Sequence, residues 1–244
     1  MSSGEQESVV RNDELDLIGL KAVAKVADKT VDGVGRFLGK ICMPVAEELG
    51  LYFQDGVRKW RADNAMKVAG GAESILDENG GCEGKNVHPL LAWKIMENAS
   101  FADTEELQNF WSGMLASSCS EGFDDSNHMF VDIMSQLTKL QVKVLTYACD
   151  NSTTYLNAQG FLLTDAFIVS QDEIFDICNC TDLDRVDREL DRLSSLGLIT
   201  STSFASNGGF DSLTGDASIQ PTPLCLQFYA RCRGFNGTTS VFYN

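Results

Sequence analysis

The chain has 244 residues, 43% apolar and 22% charged, enough to bury one large core or two small ones. Its formal net charge of −16 argues against broad nucleic-acid affinity unless a basic surface is segregated from the rest, because each phosphate contact requires a positive partner. No stretch stays apolar over the roughly 18 residues a spanning helix needs, which predicts a cytoplasmic protein, at most peripherally attached to a membrane.

Residues 1–16, "MSSGEQESVVRNDELD", are acidic and lack an apolar h-region, so they read as a disordered tail and not as a targeting segment. From Leu20 to Val45 apolar positions recur at alternating spacings of four and three, the seam of an amphipathic helix. Lys21, Lys25, Lys29, Arg36 and Lys40 line its basic side. The segment suits either a core helix with solvated lysines or an interfacial helix drawn to anionic lipid, each basic residue contributing roughly 1 kcal/mol near the surface. Gly33, Gly35 and Gly39 weaken it as a helix and predict a joint or a close backbone approach.

Pro44 marks a restart, and the helical pattern then runs to about Leu76. "DENGGCEGKN" is a loop by its Gly and Asn content, and Pro89 suits the first turn of the next helix. Asp103 followed by Glu106 predicts a capping box before a helix whose apolar face is Leu107, Phe110, Trp111, Met114 and Leu115. Thr138 with Gln141, Ser170 with Glu173, and Thr181 or Asp182 predict three further helix starts. Gly197 falls where a C′ glycine ends the third of these helices. "LITSTSFA" and "ASIQ" read as strands around a loop at 206–216, and Thr222 with Pro223 starts a last helix.

Three helices, a hairpin and a helix make winged-helix order. The expected fold is therefore mainly α: a helical domain at 17–125, a winged-helix domain with a small β-hairpin at 126–234, and a tail at 235–244. The helix in the recognition position carries five acids between Asp182 and Gly197 against Arg185, Arg188 and Arg192. The arginines share one face and Asp184, Asp187 and Asp191 an adjacent one, an arrangement that neutralises itself along the helix. Such a helix suits a protein partner or self-association better than DNA.

The two histidines, His88 and His128, have no Cys or carboxylate partner at a metal-ligand spacing. No G-x-S-x-G, P-loop or H-E-x-x-H occurs, and nothing gathers a base with a nucleophile, so neither an enzyme nor a cofactor is expected. The eight cysteines form no C-x-x-C pair and read as reduced core residues.

"PVAEELGLYFQDGVRKWRADNAMKV", "VHPLLAWKIMENASFADTEELQNFWSGMLASS", "QLTKLQVKVL" and "TPLCLQFYARC" follow one another in the order and spacing of a known family. Over about residues 30–233 the chain resembles the abortive infection alpha (Abi-alpha) family. That resemblance implies a bacterial protein of anti-phage defence and supplies no catalytic residues. The positions that carry it are Glu47, Glu48, Gly50, Arg58, Trp60, Arg61 and Asn64, then Glu106, Leu107, Trp111 and Leu115. Trp60, between Lys59 and Arg61, also suits a membrane interface. The expected function is a non-enzymatic effector or regulator of abortive infection that docks proteins through its winged helix. A membrane-acting effector using the basic helix at 20–45 and a DNA-binding regulator are the alternatives.

Overall fold

The computed structural model describes residues 36–42, 56–122, 124–201 and 216–243, a mainly helical protein with small antiparallel sheets. Helix α1 (36–42) buries Phe37, Leu38, Ile41 and Cys42 and leaves Arg36 and Lys40 exposed. This turn of the basic helix is thus used as a core helix. Lys21, Lys25, Lys29, Gly33 and Gly35 lie outside the described residues.

Helix α2 (Gly56–Glu78) runs along α4 (Glu105–Ser117), with α3 (Pro89–Ala99) packed against both. Small residues permit the close crossing. A Cβ at Gly71 would lie 2.5 Å from Ser112 Oγ, and that hydroxyl is 3.0 Å from the Val68 carbonyl and 2.8 Å from that of Gln108. Asp103 is not the cap of α4: Thr104 takes the N-cap position with an extended backbone and makes no side-chain capping bond. Glu105 and Glu106 still occupy the first turn, where the helix dipole favours acids.

Helix α5 (His128–Met134) leads to α6 (Lys139–Asn151), which opens on the expected capping box of Thr138 and Gln141. Strands β1 (Thr154–Leu156) and β2 (Leu162–Thr164) form a hairpin. Strand β3 (Phe167–Val169) precedes α7 (Gln171–Cys178), capped by Ser170, and α8 (Leu183–Ser195), capped by Asp182. Gly197, at φ +71°, ends α8, and the Leu198 N–H reaches back to the Leu193 carbonyl at 3.1 Å. Strands β4 (Ile199–Ser201) and β5 (Ala217–Pro221) complete a sheet in the order β3-β5-β4, all antiparallel. Residues 202–215, which include most of the expected wing, lie outside the described residues.

Helix α9 (Pro223–Cys232), with Thr222 as its cap and Pro223 in its first turn, joins the two halves. Phe110 of α4 meets Phe228 at 6.4 Å and Tyr229 at 5.8 Å between ring centroids. Gly113 is required at this contact, since a Cβ there would stand 1.8 Å from the Cys232 carbonyl oxygen. One buried apolar cluster runs from α1 to α9, and the short α10 (Thr239–Phe242) packs onto α9.

Candidate functional site

Several of the motif positions converge on the turn between α3 and α4. Arg61 Nε donates to Ser100 Oγ at 2.9 Å, and Asn64 Nδ2 donates to the Ser100 carbonyl at 3.2 Å. Gln108 Nε2 binds the Ala102 carbonyl at 2.8 Å and reaches Asn64 Oδ1 at 3.4 Å. Arg61, Asn64 and Ser100 are buried, so these bonds satisfy polar groups that water does not reach. The bonds fix a turn that holds Phe101 outward. Phe101 is 54% exposed and Trp60 44% exposed, their rings meeting edge to face at 6.4 Å between centroids. The Arg61 guanidinium lies 4.1 Å from the Phe101 ring centroid, within cation–π range.

Beside this patch opens a cleft of about 230 Å³ between α3, α4 and the turn after α5. Phe101, Leu107, Trp111, Met134, Ser135 and Leu137 line it. Its volume is below the usual 300–1,000 Å³ of small-molecule sites and is about that of one bulky side chain. Leu115 lies deeper, fully buried in the core, and Glu106 pairs with Lys143 at 3.4 Å, tying α4 to α6. Glu47, Glu48 and Gly50 lie outside the described residues, as does the Arg58 side chain.

The surface continues onto α8 through the 135–138 turn. Ser135 and Leu137 line the cleft, while Gln136 between them accepts a hydrogen bond from Arg192 Nη2. Arg185 Nε stands 3.9 Å from Glu189 Oε1. Glu189 is itself held by Thr138 Oγ1 at 3.0 Å, and its carbonyl accepts from Gln141 Nε2 at 3.3 Å. Arg188, Asp184 and Asp191 are exposed. Two of the three arginines are therefore engaged by the protein itself, and acids dominate what α8 offers outward.

Among the described residues, no group of three or more His, Cys, Asp and Glu is placed to hold a metal ion. His128 Nδ1 faces Asp132 at 3.7 Å, and no disulfide joins the described cysteines. Burial pushes the Cys119 and Cys178 thiols up to about 12, so neither is a thiolate nucleophile at neutral pH. No described helix is long and apolar enough to cross a membrane.

A family model for abortive infection alpha matches residues 67–232, two thirds of the chain. The chain belongs to the abortive infection alpha family. Membership implies a role in abortive infection, the defence against phage. Neither a curated protein nor a solved structure matches the chain. The family match begins at Lys67, so Trp60, Arg61 and Asn64 precede it, while Glu106, Leu107, Trp111 and Leu115 fall within it. Phe101, Ser135 and Gln136 complete the surface and were not singled out from sequence. The signal for Phe101 was a lone aromatic in the otherwise polar or small-residue turn "NASFADT".

Proposed function

We propose that the chain serves abortive infection as a non-enzymatic protein-docking component. Its contact surface extends from Trp60 and Phe101 across the adjoining cleft to the C-terminal half of α8. The observation that carries this reading is the pair of large aromatic side chains held half in water by a buried hydrogen-bonded turn, beside a pocket the size of one bulky side chain. Aromatic side chains are common anchors of protein interfaces.

On the same reading, residues 126–234 act as a winged-helix module turned to protein recognition. The succession α6, β3, α7, α8, β4 and β5, with the β1–β2 hairpin inserted after α6 and with β5 between β3 and β4, supports that assignment. A DNA-reading use is disfavoured because Arg185 and Arg192 are engaged by Glu189 and Gln136.

The test is phage plating on cells carrying Phe101→Asp or Trp60→Ser, with circular dichroism and thermal melting of each purified variant. Loss of protection by folded variants is the expected result. Full protection by both, with loss in Arg185→Ala/Arg188→Ala, would move the function to nucleic acid.

A further inference from the structure

Cys149, near the end of α6, and Cys225, in the first turn of α9, place their sulfurs 3.5 Å apart in the buried core. Both are free thiols, and 76 positions separate them in the chain. The Tyr243 hydroxyl lies 3.5 Å from the Leu226 carbonyl, next in the chain to Cys225, and its ring is only partly buried. Phe242 supports it from behind, packing edge to face on Tyr243 at 4.9 Å and on Tyr229 at 6.2 Å. Tyr229 is fixed in turn by its hydroxyl bond to Asp150 at 2.6 Å.

We propose that Cys149 and Cys225 are an oxidisable dithiol, sealed by Tyr243, that closes into a disulfide between α6 and α9 when a peroxide or a diazene oxidant reaches it. The sulfurs must approach by roughly 1.5 Å to reach the usual bond length of about 2.05 Å, a shift within the reach of side-chain rotation. When Tyr243 swings away, the Cys149 sulfur attacks one peroxide oxygen, the O–O bond breaks, and a sulfenic acid forms as the other oxygen takes the thiol proton and leaves as water. Cys225 sulfur then displaces the sulfenic hydroxyl, which departs with the Cys225 proton as a second water. Two thiols are oxidised to one disulfide and one peroxide is reduced to two waters.

At rest both thiols are buried. The thiol–thiol contact and burial push the Cys225 thiol well above its ordinary range, which keeps it neutral. Displacement of residues 239–243 therefore controls the chemistry, and the bond would fasten the last long helix to the half of the molecule that carries α8. Cys82 and Cys180, both half-exposed, sit outside the cluster and report whether oxidant has reached the protein at all.

The experiment treats the full chain with hydrogen peroxide or diamide, then alkylates and maps peptides without reduction. The expected result is a Cys149–Cys225 linked peptide as the main disulfide, with loss of two hydrogens from the intact mass. An upward Tm shift of about 5 °C or more is expected because a long loop is closed. Tyr243→Ala should form the bond several-fold faster, and Cys149→Ser, or Cys225→Ala if the first does not fold, should abolish it. Recovery of both cysteines as free thiols in wild type and Tyr243→Ala, while Cys82 or Cys180 is oxidised, would overturn the proposal. So would pairing of Cys149 with Cys232 as the main product. An unchanged rate in Tyr243→Ala would remove Tyr243 as the seal.

Discussion

The α2–α4 crossing and the α6–α8 crossing are both held by polar groups, and they treat those groups in opposite ways. At α2–α4, Arg61, Asn64, Ser100 and Ser112 are buried and their bonds reach backbone carbonyls or one another, leaving apolar Trp60 and Phe101 to face water. At α6–α8 the apolar residues Val186, Leu190 and Leu193 go inward, and charge faces out. In the first arrangement the charged residue shapes a turn and two aromatic rings stay in water; the second is an amphipathic helix with two of its exposed arginines contacting Glu189 and Gln136. Charge at the sequence level therefore does not mark the exposed Trp60–Phe101 pair.

Substitutions should separate the two crossings by size of effect. Gly113→Ala forces α4 away from the Cys232 carbonyl and should cost about 3 kcal/mol or more, read by urea denaturation. A cost below about 1 kcal/mol would mean that α4 and α9 meet less closely than described. Asn64→Leu leaves the buried Ser100 carbonyl without its Asn64 donor, while Gln108 keeps its bond to the Ala102 carbonyl, and a loss of about 2 kcal/mol is expected from the same measurement. At the other crossing, Thr138→Ala removes the cap of α6 and its bond to Glu189, which should lower stability by about 1 kcal/mol.

The smallest effect concerns Glu106, whose carboxyl is held below its ordinary range by a backbone hydrogen bond at the start of α4, assisted by Lys143. A depressed folded-state value means that the contribution is present above the unfolded value and is lost as pH falls through the folded one. The stability difference between wild type and Glu106→Gln should therefore close on acidification below about pH 4, as followed by thermal melts. A difference that persists at lower pH would show that the carboxylate is not its source.

Much of this was legible because helix starts have local chemistry. Thr138 with Gln141, Ser170, Asp182 and Thr222 each cap the helix their spacing predicts, and Gly197 ends α8 with positive φ. The failures are local as well. Strands β1, β2 and β3 are three residues each, too short for alternation to register, and β3 gains its identity only by pairing with β5 across some fifty residues. The site was half legible. Trp60, Arg61, Asn64, Leu107 and Trp111 were singled out, but Ser100, Phe101 and Gln136 join them through contacts distant in sequence that no periodicity encodes.

The central claim is that this surface receives protein and α8 does not read DNA. The most direct measurement is fluorescence anisotropy of a labelled duplex titrated with the purified chain at low and at physiological salt, beside Arg185→Ala/Arg188→Ala. Weak association at low salt, gone at physiological salt and equal for both proteins, is the predicted result. Binding that survives physiological salt and is abolished in a folded double variant would contradict it.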